Sequence, residues 1–111
     1  MKSPIRLFRD ERGALRAAWP AAPAGGLMVL RYLEGDLAED PQAVARVLRE
    51  GRAILRGKSR RFQIGGNAFV LKLTPQRASL TPTYDEQAQP YGLPLVDFLK
   101  LIARWQKLIR A

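Results

Sequence analysis

"DPQAVARVLREGRAILRGKSRRFQIGG", residues 40 to 66, contains a helix start, a helix stop and the entry to a strand, and its reading divides the rest of the chain. Asp40 is an N-cap residue and Pro41 takes the first helical position, where its missing N–H leaves nothing unsatisfied. No breaker follows before Gly51, and the spacing predicts a helix from Pro41 to Arg56. Advanced by 100° per residue, Val44, Val47, Leu48, Gly51, Ile54 and Leu55 share one face. Arg46, Arg49, Arg52 and Arg56 share the opposite one, a comb of guanidinium groups facing away from the core. Gly57 is the left-handed residue that ends the helix.

Gly57-Lys58-Ser59 also imitates the end of a phosphate-binding loop. That motif needs four residues between its first glycine and the Gly-Lys pair, whereas "RAILR" supplies five after Gly51. It must also follow a strand and open a helix, so that backbone N–H groups at the helix N-terminus cradle phosphate. Here a helix precedes the glycine and a strand-like segment follows it. A nucleotide loop is therefore excluded.

Outward from this stretch, alternation predicts a hairpin near each end of it. Ile5 and Leu7, then Leu15, Ala17 and Trp19, alternate with arginines around the turn Asp10-Glu11-Arg12-Gly13. "PAAPAGG", residues 20 to 26, breaks that pattern as a loop. "LMVLRYL", residues 27 to 33, is an apolar run with Val29 and Tyr32, which predicts a third strand. After the helix, Phe62 and Ile64 lead to the turn Gly65-Gly66-Asn67, and Phe69, Leu71 and Leu73 resume the alternation. Thr74-Pro75-Gln76 turns the chain toward Ala78 and Leu80, and residues 81 to 92 form a polar loop. A second amphipathic helix runs from Pro94 to about Arg110, with Leu95, Phe98, Leu99, Ile102 and Trp105 inward and Lys100, Arg104 and Lys107 outward. The expected fold is α+β, an antiparallel sheet of about six strands with two amphipathic helices on one face, in the order βββ-α-βββ-α. Repeats of strands then helix also occur in some single-strand nucleic-acid binders.

Composition bounds the chemistry. The 111 residues fit a single domain, 1–111, with one modest core. Cysteine and histidine are both absent, which removes thiolate nucleophiles, the usual metal ligands and the commonest general base near neutral pH. No catalytic residue, metal site or cofactor is expected, and the protein is expected to be non-enzymatic. The beginning of the chain lacks the apolar run of a secretory signal and no stretch has the length of a membrane span, so a cytoplasmic location and no membrane partner are expected. The formal net charge is +9, from 19 basic and 10 acidic residues. Such an excess points to a polyanionic partner. Arginine outnumbers lysine 14 to 5, a bias that a GC-rich genome also produces.

Several stretches resemble the YacL family of small bacterial proteins: "FRDERG" at 8 to 13, the helix after Asp40, "GNAFVLKL" at 66 to 73, "YDE" at 84 to 86 and "LVDFLKLIARWQKLI" at 95 to 109. The resemblance lies in spacing and apolar pattern, and it implies no established activity for any residue. Members of that family tend to be acidic before the "YDE", whereas this chain is basic.

Three polar clusters compete as sites. Tyr84, Asp85 and Glu86 lie together in a loop, where an Asx-type bond from Asp85 to nearby backbone explains them better than catalysis. "EGDLAED", residues 34 to 40, lacks the ligand spacing of a calcium loop and is expected to be a solvated lead-in to the helix. The strongest cluster is basic: Arg46, Arg49, Arg52, Arg56, Lys58, Arg60 and Arg61 fall within 16 residues, and no acid occurs between Glu50 and Asp85. Side chains of this kind bind phosphates without reading sequence. The expected partner is nucleic acid, RNA above all, or a ribonucleoprotein. A regulator or toxin-neutralising adaptor using the same patch on an acidic protein is the alternative.

Overall fold

The computed structural model describes residues 4–85 and 87–111. The chain opens with a hairpin of β1 (Arg6–Arg9) and β2 (Leu15–Ala18). Its turn is built as the residues dictate: Gly13 has φ +80°, and the Asp10 carboxylate accepts the backbone N–H groups of Arg12 and Ala14.

The next segment corrects the expectation of a third strand. Residues Leu27–Arg31 form a short helix, α1, which runs on as a π-helical segment over Tyr32–Leu37. Buried Val29, Tyr32, Leu33 and Leu37 are spaced by three, one and four residues, the period of a helix. The Ala38 N–H reaches back five residues to the Leu33 carbonyl at 2.8 Å, the π-type bond. Strand-favouring Val29 and Tyr32 are outweighed by this periodic burial.

Helix α2 spans Pro41–Leu55 and begins as its sequence requires, with the Asp40 carboxylate accepting from Gln42 and Ala43 N–H. Val44, Val47, Leu48, Gly51 and Ile54 are buried, while Leu55, expected inward, is 47% exposed. It is the last residue of the helix, beyond the buried stripe that ends at Ile54. Gly57 adopts φ +77°, and the Gly57 and Lys58 N–H groups close the helix on the Ile54 and Ala53 carbonyls.

A four-stranded antiparallel sheet follows, in the order β3 (Phe62–Gly65), β4 (Phe69–Leu73), β5 (Arg77–Pro82), β6 (Tyr91–Pro94). The described residues thus hold six strands, but in sheets of two and four rather than one sheet, and the element order differs from the expected βββ-α-βββ-α. β6 lies partly within the stretch expected to be loop. Its strand character comes from pairing with β5, Leu80 opposite Tyr91 and Ala78 opposite Leu93, and not from its own four residues.

Helix α3 (Leu95–Arg110) packs against β5, β6 and α2. Phe98, Ile102 and Trp105 are fully buried, and with Phe69, Leu71, Leu73 and Leu80 they make the core between helix and sheet. Gly51 lets α2 approach α3 closely, since a Cβ there would collide with the Leu99 side chain.

Two glycines give contrasting predictions. Gly57 has open space around it, so Gly57→Ala should cost only backbone strain, about 1 kcal/mol in urea unfolding. Gly51→Ala instead overpacks the α2–α3 contact. In a double-mutant cycle with Leu99→Ala, the two changes should be non-additive by about 1 kcal/mol, because shortening Leu99 removes the collision.

Candidate nucleic-acid interface

All seven cations singled out by the sequence are solvent-exposed. Arg46, Arg49 and Arg52 are exposed residues of α2, with Arg46 leaning toward β3; Arg56 is the C-cap, and Lys58, Arg60 and Arg61 continue along the loop into β3. Two of the seven have partners. The Arg46 guanidinium lies over the Phe62 ring at 5.6 Å, and Arg49 reaches Glu50 at 3.8 Å. The other five make no side-chain hydrogen bond, ion pair or ring contact among the described residues.

The acids explain why. Glu34 and Asp36 were expected to belong to a solvated lead-in, and the structure corrects this for both, while Asp40 caps the helix as expected. Glu34 accepts the Ala17 N–H at 2.8 Å and pairs with Arg16. Asp36 accepts the Ala68 and Phe69 N–H groups at 2.9 and 3.0 Å, pinning the β3–β4 turn. Glu39 pairs with Arg9, and Asp40 caps α2. Asp85 makes the expected Asx bond, to the Gln87 N–H at 3.0 Å, while Glu86 lies outside the described residues. Among the described residues only Glu11 and Asp97 make neither a hydrogen bond nor an ion pair through their carboxylates. Most of the acids hold backbone or pair with arginines, and of the cations in the α2–β3 region only Arg49 has an acid partner among the described residues.

Aromatic groups contribute little to this surface. Phe69 is buried, Phe62 is half-buried beneath Arg46, and Tyr91 stacks edge-on against Trp19. Tyr84 is 73% exposed, in the loop after β5.

Sequence reasoning missed a second feature, a cleft of about 380 Å³ between the π segment, α2 and β3, lined by Tyr32, Asp36, Arg46 and Ile64. Its only signal in the sequence was the acidic run before Asp40. Burial, with the nearby Asp36 charge adding to it, pushes the Tyr32 phenol far above its ordinary value of 10.0. No helix is long and apolar enough to cross a membrane among the described residues. Comparison of the chain with protein-family models, with curated proteins and with solved structures finds no match.

The Tyr32 shift has a sign that can be tested. The folded state holds this proton more tightly than the unfolded chain, so the contribution is complete below the unfolded phenol value and is lost as pH rises beyond it. Stability should fall on the alkaline side of about pH 10, and Tyr32→Phe should flatten that limb in urea titrations at several pH values. An unchanged limb would mean that the Tyr32 hydroxyl is effectively solvated.

Proposed function

We propose that this protein is a non-enzymatic binding module that engages RNA through the basic face of α2 and the loop that follows it. One observation carries the reading: Arg52, Arg56, Lys58, Arg60 and Arg61 are exposed and unpaired among the described residues, while nearly all the acids are engaged elsewhere. A composition bias alone would scatter cations among acids over the whole surface. Here positive charge follows one helix face and continues into one loop, the pattern that neutralises a run of phosphates. Guanidinium groups suit this task because their planar forks pair with phosphate oxygens. The YacL-like stretches are a proposed kinship that supplies no activity, and the reading does not draw on them. A cytoplasmic setting is part of the same proposal.

Counterion release gives the test. With about four cations on a single strand, log K should fall with log salt at a slope of about −3 or steeper, from about −0.7 per contact. Arg52 and Arg56 have no partner to lose, so replacing both by glutamine should leave stability nearly unchanged. It should flatten the slope by about 1.4 and weaken binding about tenfold near physiological salt. Fluorescence anisotropy of a labelled RNA oligomer at three salt concentrations measures both. Equal slopes and affinities for parent and variant would reduce the arginine comb to a solvated helix face. Partner capture that survives nuclease digestion would point instead to an acidic protein.

A further inference from the structure

The four-stranded sheet has two unlike faces. The helices cover the one bearing Phe69, Leu71, Leu73, Ala78 and Leu80, all buried. Strand alternation turns the intervening residues the other way, and the register aligns them in rows. One row joins Gln63, Lys72, Ser79 and Gly92; the next, at the α2 end of β3, joins Arg77 with Pro94. Gln63, Lys72 and Arg77 are exposed, so this face is open to solvent. Arg61, exposed and immediately before β3, lies at the Arg77 end of the sheet.

The charge on this face has one sign. Lys72 is a diagonal neighbour of Arg77 on the adjacent strand, a separation of about 7–8 Å between such positions, and Arg61 flanks it from the other side. No acid occurs in residues 51 to 84 or in β6, so no carboxylate from the sheet itself offsets the three cations. The residues between them are small and polar. The Arg77 guanidinium lies across Gly92, where the missing Cβ leaves room for it. Arg77 thus lies along the sheet, exposed and without an ion pair to an acid among the described residues. None of the residues in these rows is aromatic, so the face offers no platform on which bases stack.

We infer that the uncovered face of the four-stranded sheet is a second binding surface for single-stranded RNA, contacting its sugar–phosphate backbone through Arg61, Lys72 and Arg77. This rests on the RNA reading of the α2 comb and extends it. Lys58 and Arg60 join the two surfaces, and Arg61 ends the loop at the margin of the sheet, so a strand tracking the comb passes onto the face without leaving positive charge. A flat surface matches an extended single strand, whereas a duplex touches it along only a narrow line. Binding through phosphates without stacking makes the face indifferent to base identity.

The experiment compares three proteins: the parent, the comb variant Arg52→Gln/Arg56→Gln, and the face variant Lys72→Gln/Arg77→Gln. Each is titrated with fluorescein-labelled oligouridine and oligoadenosine and with an RNA duplex of equal length, at three salt concentrations. The face variant should bind both single strands about tenfold more weakly near physiological salt, with the slope flatter by about 1.4. The backbone amides of Ser79 and Thr81 should shift in parent NMR spectra on adding oligouridine. A face variant with parental affinity and slope, beside a weakened comb variant, would overturn the sheet-face inference and leave the helix reading standing. Loss in the face variant alone would support the sheet face and remove the comb. Duplex bound more tightly than either single strand, or a strong preference between uridine and adenosine, would overturn the backbone mode. No RNA bound by the parent would end both readings.

Discussion

The indole of Trp105 is wholly buried, and its Nε1–H donates to the Ala38 carbonyl at 2.7 Å. An indole N–H left unsatisfied in such a core would cost on the order of 1–3 kcal/mol, so this bond fixes where α3 meets the rest of the chain. Ala38 offers its carbonyl because it closes the π segment with φ 48°, a conformation that a residue with a Cβ adopts only under constraint. The neighbours of this corner secure the remaining layers. Two residues before it, Asp36 holds the β3–β4 turn by two backbone N–H groups; two residues after it, Asp40 caps α2. Five residues of chain thereby set α2, α3 and the large sheet against one another.

The same corner shapes the charge distribution. Carboxylates accept hydrogen bonds from backbone N–H groups, and guanidinium and ammonium groups do not. A fold that secures its turns and helix starts with side-chain acceptors therefore draws acids inward to the backbone and leaves cations at the surface. Glu34, Asp36 and Asp40 follow this rule on one side of α2, and Asp10 and Asp85 follow it in loops. The net charge of +9 is consequently not spread evenly. The stretch from Arg46 to Tyr84, which holds most of α2, the loop after it and β3 to β5, carries nine cations and one acid.

Arg46 stands where the comb and the cleft meet. Its guanidinium rests on Phe62 and also lines the cleft beside Tyr32 and Asp36. A cation over an aromatic face is held in place without being neutralised. That sets Arg46 apart from Arg52 and Arg56, whose side chains make no hydrogen bond, ion pair or ring contact among the described residues. The comb therefore grades from a cation with a ring partner in the first half of α2 to cations without a polar partner among the described residues near its end, where it meets the loop.

By itself the sequence determined those elements whose signals are local. Asp40-Pro41 starts α2 and Gly57 stops it; Gly13 and Gly65-Gly66 turn the two hairpins; the 3.6-residue period places Phe98, Ile102 and Trp105 in the core. The arginine comb was legible for the same reason, being the reverse side of a face defined by neighbours three and four residues away. The tertiary structure decided the rest. Residues 27 to 37 are helical because Val29, Tyr32, Leu33 and Leu37 bury together, a period that runs through Gly35 and is hidden by strand-favouring side chains. Which strands share a sheet, and that Tyr91–Pro94 is a strand at all, depend on hydrogen bonds between residues far apart in the chain. Lys72 and Arg77 share one face only through that register, since strand pairing, and not sequence proximity, fixes which side chains stand side by side across a sheet.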